Sequence, residues 1–428
     1  MMTRTKVLVI VVLVALCLAA ALFVVRGYLD SFQPQAWDRT YGGTDSDIAY
    51  ALVQNADGGY VLAGSTGNDF WFVRTDVEGT MLWNHTYAGA HNDWAKALVQ
   101  ASDGGYAIAG YTDSYGAGGW DAWLVKTDSD GAVQLNMTYG GKYGDVANAL
   151  VRTSDGGYAM AGYTYSYGDF KGDSWLVKTD ANGILQWNKT YGGTQYDGAD
   201  ALVETADGGY ALAGSTSSYG AGAVDFWLVK TDADGSCMWN NTYGGTDDDY
   251  AYGLVQAVDG GYVLAGYTYS FGAGGWDAWL VKTDADGTMQ WNKTYGGTNW
   301  DLASALVQTA DGGYAFAGYT YSYGGGNSDM WLVNIDAEGN VRWNSTYGGT
   351  GYENAEALVQ TSDGGYAVAG FKGSETQSNY DFWLVKTDAS GVVPEFLSPM
   401  IFAVFITVAS SAVVLTKRKL LGKQRKPR

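Results

Sequence analysis

The tetrad Asp-Gly-Gly-Tyr stands at Asp57, Asp103, Asp155, Asp207, Asp259, Asp311 and Asp363, at intervals of 46 residues once and then 52 residues five times. A fixed period of this length means that each copy is one supersecondary unit, unable to bury its apolar face alone, so that copies must stack. At 428 residues the chain has room for two or three ordinary domains, yet the repeat argues for one closed array. With 62 glycines, 4 prolines and 15% aromatic residues, it suits many short strands joined by tight turns.

Within one copy, Leu302 to Thr309 alternates as a strand, with small Ala303 and Ala305 on one side. Asp311-Gly312-Gly313 then turns the chain, because Asp-Gly and Gly-Gly supply the positive φ of a tight hairpin. In the preceding copy Tyr262 to Thr268 is a second, apolar strand, followed by a Gly- and Tyr-rich loop. Asp277 to Asp284 is a third, with Trp279, Val281 and Thr283 on one face. Met289 to Tyr295 is a fourth, after the Ala285-Asp286-Gly287 turn. Four short antiparallel strands make one propeller blade, and seven tetrads predict seven blades.

The last copy ends after its tryptophan strand, Asp381 to Asp388, without a W-N-x-T-Y-G-G segment. That piece stands before the first copy instead, as Trp37-Asp38-Arg39-Thr40-Tyr41-Gly42-Gly43. An N-terminal strand completing the C-terminal blade closes the ring and removes two exposed edges. The predicted fold is all-β: a seven-bladed β-propeller of four-stranded antiparallel blades over residues 35–393.

The motifs D-A-W-L-V-K-T-D-x-x-G-x-x-x-W-N-x-T-Y-G-G and A-x-A-L-V-x-x-x-D-G-G-Y-x-x-A-G resemble those of bacterial and archaeal extracellular β-propeller repeats, from about Trp37 to Gly391. The resemblance implies that the first strand of each blade lines the channel and the W-N-x-T strand is outermost. The small alanines of the first strand agree with a crowded axis. Membership of such a family implies a fold and a surface location and leaves the activity open.

The propeller is flanked by apolar ends. Arg4 and Lys6 precede nineteen apolar residues, Val7 to Val25, and Arg26 follows. Residues 1–30 read as a cleaved signal peptide or an uncleaved signal-anchor helix. Residues 394–416 read as a transmembrane or sorting segment, and residues 417–428, with seven basic side chains, as a tail held on the cytoplasmic side. Pro394-Glu395-Phe396, the apolar run and the basic end resemble the PEF-type anchor signal of archaeal surface proteins. That likeness implies a plain anchor or processing by an archaeosortase-like enzyme. The expected location is therefore the cell membrane and surface, with the propeller outside. Between the ends lie 15 basic and 43 acidic residues, a net charge near −28, which repels nucleic acid and favours cations. Two cysteines, Cys17 and Cys237, cannot build a disulfide framework.

Two acids recur in register. One precedes the first strand (Asp47, Asp93, Asp145, Asp197, Asp249, Asp301 and Glu353). The other opens the third (Asp69, Asp121, Asp173, Asp225, Asp277, Asp329 and Asp381). Asp47, Asp145, Asp197, Asp249 and Asp301 are candidate calcium ligands, since calcium takes six to eight oxygens. The competing reading, favoured because every blade has both acids, is that they brace loop N–H groups. The loops on that face carry Tyr115, Tyr167, Tyr219, Phe271 and Tyr323, with Trp120 and Trp276 beside them, candidates for stacking on sugars or for packing between loops. Asn84, Asn136, Asn188, Asn240, Asn292 and Asn344 each begin an Asn-x-Thr sequon on the outermost strand, either glycosylation acceptors or plain strand chemistry.

Only two histidines exist, His85 and His91, and neither recurs, so no triad or zinc site can be assembled. Carboxylate pairs are too abundant for any one to inform. The expectation is a non-enzymatic, membrane-anchored surface module for recognition or adhesion, of a polysaccharide or a surface protein. The alternatives are a structural envelope component and a carbohydrate-active enzyme. A single site, if one exists, belongs where blades differ: the short loop Ser65 to Asp69, Asp169-Phe170-Lys171, and Phe371 to Asn379.

Overall fold

Alternating apolar positions and Asp-Gly turns produce the same four strands in every copy. The computed structural model describes residues 36–374 and 379–393. β1 (Trp37–Tyr41) comes first, and β2 (Asp47–Gln54), β3 (Tyr60–Thr66), β4 (Asp69–Thr75) and β5 (Met81–Tyr87) then form an antiparallel meander in that order. Five further blades repeat this meander as β6–β25, over residues 93–347. β26 (Glu353–Gln360), β27 (Tyr366–Gly373) and β28 (Tyr380–Thr387) make three strands of the seventh. β1 supplies the fourth, pairing with β28 so that Trp37 lies opposite Lys386 and Tyr41 opposite Phe382. The ring is closed as the displaced W-D-R-T-Y-G-G segment predicts.

The core lies between blades, in apolar layers where the third-strand tryptophan of one blade packs on its neighbour. Trp71 of the first blade meets Phe382 of the seventh, ring centroids 4.5 Å apart. The seam reproduces the contacts found inside the ring. Trp37 stands edge-on to Tyr60 at 5.7 Å and 75°, as Trp239 does to Tyr262 at 6.0 Å and 68°. The Tyr41 hydroxyl donates to the Gly79 carbonyl at 2.6 Å, as Tyr243 donates to Gly287 at 2.6 Å.

On the lower face each tetrad aspartate receives a cation from its own blade. Lys178, Lys230, Lys282 and Lys386, all nearly buried, reach Asp155, Asp207, Asp259 and Asp363 within 2.9 Å. In the sixth blade Asn334 replaces the lysine, and Arg342 from the adjacent strand reaches Asp311 instead. Burial alone would raise the Asp155 carboxyl, but Lys178, the Thr153 hydroxyl and the Gly157 N–H together hold it at about 2.

Every first strand carries a β-bulge between its two small residues: Ala49 and Ala51 in the first blade, Ala251 and Gly253 in the fifth, and the equivalent positions elsewhere. The bulge brings the carbonyl before it against the second strand, and glycine there is obligatory. A Cβ on Gly64 would lie 1.9 Å from the Ile48 carbonyl oxygen, and one on Gly266 1.9 Å from that of Tyr250.

Among the described residues no helix is long and apolar enough to cross a membrane. The expected signal or anchor segment and the expected C-terminal span and tail fall in residues 1–35 and 394–428, outside the described residues.

Candidate functional site

A bulge leaves one residue without a ladder partner and re-aims its side chain. Here the seven bulged residues are Tyr50, Lys96, Asn148, Asp200, Tyr252, Ser304 and Glu356. All seven turn toward the axis and line one cavity of about 410 Å³, joined there by Leu302 and Tyr319. In a chain of near-copies, this position holds six residue types in seven blades. The first strand does line the channel, as the resemblance implies, but its alanines are not what faces the axis.

Chemically the ring is polar, acidic and incompletely paired. The Lys96 ammonium sits 3.5 Å from the centre of the Tyr50 ring and 5.2 Å from that of Trp94, a cation–π contact. Asn148 donates to Asp200 at 2.9 Å and to the Ala199 carbonyl at 3.1 Å. No salt bridge joins Lys96 to either acid, and Glu356 accepts no hydrogen bond, among the described residues. Protein surrounds both carboxyl groups although the channel admits solvent to them. Burial lifts Asp200 to about 7, against the opposing pull of Lys96 and the Asn148 bond. Burial likewise lifts Glu356 to about 7, again opposed by Lys96. The same burial lowers the Lys96 ammonium, with Glu356 and Asp200 acting against it. The hydroxyls of Tyr50, Tyr252 and Tyr319 are raised, chiefly by burial, and stay protonated at physiological pH.

Two aromatic tracks lead outward from the tyrosines of this ring. From Tyr50 the rings run through Trp94 (6.1 Å, stacked) and Tyr111 (5.7 Å) to Trp120 (5.4 Å). From Tyr252 they run through Tyr267 (6.0 Å) and Trp276 (4.8 Å, stacked) to Trp300 (5.3 Å, stacked), with Tyr269 edge-on to Trp276. Trp120 is 42% exposed, Tyr269 45% and Trp300 49%. Trp276 is itself half-buried, and its indole N–H has no hydrogen-bond partner.

The repeated loop aromatics take a different place. Tyr115, Tyr167, Tyr219 and Tyr323 donate their hydroxyls to the carbonyls of Ala88, Gly140, Gly192 and Gly296 in the loops leading to the first strands. Their rings lie against the third-strand tryptophans Trp123, Trp175, Trp227 and Trp331 at 5.6–5.9 Å. Phe271 holds the same seat against Trp279 at 5.3 Å without a hydroxyl. Each ring is tied down while staying partly exposed on the loop face. The third blade adds Phe170, exposed and at φ 64°, edge-on to Tyr143.

The acids expected to precede each first strand are its opening residues, paired with the end of the second strand, and are engaged by loop groups. Asp145 takes the Thr164 hydroxyl on one oxygen, and the Gly141 N–H (2.8 Å) and Ser166 hydroxyl (2.7 Å) on the other. Asp197 and Asp301 repeat this set. Asp249 takes Gly245 and Ser270. Asp47, whose blade has the short loop, takes the Gly43 N–H at 3.1 Å and has the Thr66 side chain beside it. Each faces the third-strand acid of the preceding blade. Burial, with Glu353 beside it, raises Asp329 to about 6. Among the described residues no three His, Cys, Asp or Glu side chains form a group able to hold a metal ion.

Five of the sequon asparagines are exposed, and Asn188 is half-buried. Their Oδ1 atoms accept the indole N–H of the third-strand tryptophan, at 3.3 Å from Trp71 to Asn84 and 2.6 Å from Trp123 to Asn136. Trp175, Trp227, Trp279 and Trp331 do the same for Asn188, Asn240, Asn292 and Asn344. In the seventh blade Asp38 replaces the asparagine and accepts from Trp383 at 3.0 Å.

No protein-family model matches the chain. The regulatory protein FlaEY of Caulobacter vibrioides is 27% identical over 157 residues, which are 31% of this chain and 16% of that protein. Among solved structures, the WD40 domain of Pan2 from Neurospora crassa is 11% identical, with a TM-score of 0.51 over 84% of this chain and 99% of that one. Sqt1 from Chaetomium thermophilum is 12% identical, with a TM-score of 0.45 over 78% and 82%. The Pan2 likeness is one of fold: this chain is a β-propeller.

Proposed function

We propose that the protein is an extracytoplasmic recognition module that binds its ligand on the loop face, over the two aromatic tracks. A closed propeller is a rigid frame, and rigid frames hold binding groups better than loops alone. The carrying observation is the stacked run Tyr267–Trp276–Trp300, with Tyr269 beside it, partly exposed at the mouth of the channel. Ring faces of this kind suit the C–H faces of sugars, with nearby acids accepting hydroxyl protons. A surface location is supported by the apolar and basic character of both ends, the strongly acidic middle and the exposed sequons. Membrane attachment and glycosylation belong to this reading.

The test is binding of the full-length protein, in mild detergent, to a panel of polysaccharides. Trp300→Ala and Tyr269→Ala should weaken a bound glycan about 5- to 30-fold, since stacking on an exposed ring is worth about 1–2 kcal/mol. A glycan bound equally well by both variants would move the site elsewhere. Absence of binding across the panel would favour a protein partner or a structural role.

A further inference from the structure

The axial channel is lined by one bulged residue from each of the seven blades. Its seven bulges are structurally equivalent, so blade packing alone gives no reason for six different residue types at that position. The packing positions on either side stay nearly invariant. The residue before each bulged one is alanine in every blade, and the residue after it is alanine in six of seven.

We propose that the channel is a binding site for a small organic ammonium ion, held by the Glu356 and Asp200 carboxylates against the rings of Tyr252 and Tyr319. Two acids and one base line the cavity, and Lys96 is already covered by the Tyr50 ring. Glu356 has no donor from the protein, while Asp200 has one from Asn148. An ammonium group supplies the missing donors and positive charge, and tyrosine faces attract it further. An anion would find one lysine and two opposing carboxylates. A bare metal ion would find no third acid and a lysine in its way. The cavity of about 410 Å³ takes a molecule the size of a diamine or an amino sugar, and the acidic exterior raises the local concentration of cations.

Calorimetric titration of the full-length protein with putrescine and with glucosamine tests this, with glucose as the neutral counterpart of the amino sugar. The expected result is saturable one-to-one binding of at least one amine and no binding of glucose at the channel. Glu356→Gln should weaken that binding at least tenfold. The substitution keeps the shape and breaks no protein hydrogen bond, and circular dichroism checks the fold. Lys96→Met should move affinity the other way, strengthening it. The proposal is overturned if neither amine binds, if glucose competes for the same site, or if Glu356→Gln leaves affinity unchanged. Loss of glycan binding in the rim variants, with amine binding intact, would show that the two sites are separate.

Discussion

Because β1 closes the ring, Trp37 is an interior residue of the fold although it stands near the N-terminal end of the described chain. Its side chain is 5% exposed and packs edge-on against Tyr60. A tryptophan buries about 150–250 Å², which at about 25 cal/mol per Å² corresponds to about 4–6 kcal/mol. Measured large-to-small substitutions place Trp→Ala at about 3–5 kcal/mol. Trp239 occupies the equivalent seat inside the ring, against Tyr262, and is only half-buried. Trp37→Ala should therefore cost about 4 kcal/mol, no less than Trp239→Ala. Urea unfolding followed by far-ultraviolet circular dichroism measures both, with size-exclusion chromatography to detect opened rings pairing through their free edges. In an open array Trp37 would sit on a fraying end. A cost below about 1 kcal/mol for Trp37→Ala, beside several for Trp239→Ala, would refute the closure.

Stability should also depend on pH through the channel. Asp200 and Glu356 have folded pKa values of about 7, above ordinary values of 3.8 and 4.5, so the folded state binds the extra protons. Their contribution is complete below about pH 4 and is lost as pH rises through 7. Glu356→Gln should flatten that fall, leaving the variant more stable than the parent at pH 8 by about 1–2 kcal/mol. This is below the full linkage value of about 3 kcal/mol because water reaches the carboxyl. Parallel stability–pH curves would contradict the burial argument. Gly266→Ala, whose Cβ would press on the Tyr250 carbonyl, should cost about 1–3 kcal/mol by overpacking and distort the bulge that places Tyr252. An unchanged melting temperature would show that the strands can part at no cost.

The blade count, the strand order and the ring closure were all legible, because they depend on turn chemistry, alternation and one displaced motif. The channel was not. Alternation along Ala-x-Ala-Leu-Val directs the alanines to one side, and a bulge shifts this register with no glycine beside it in six of the seven first strands. Its sequence mark lies on the partner strand, in the invariant Gly64 or Gly266. A second signal is present too: loops of unequal length draw the eye, whereas diversity is concentrated in one column from Tyr50 to Glu356. The Asn-x-Thr pattern shows why repetition alone is ambiguous. Each asparagine side chain serves a tryptophan N–H whatever else it carries.

The β1–β28 seam has a mechanical consequence. Trp37, where β1 begins, lies beside Lys386, near the end of β28, so chain enters and leaves the ring at one corner of one blade. Tension between the two flanking segments would load the pairs of this seam one after another, from Trp37–Lys386 towards Tyr41–Phe382. The other six blades would carry none of it. Pulled this way, the ring is a zipper that opens at low force.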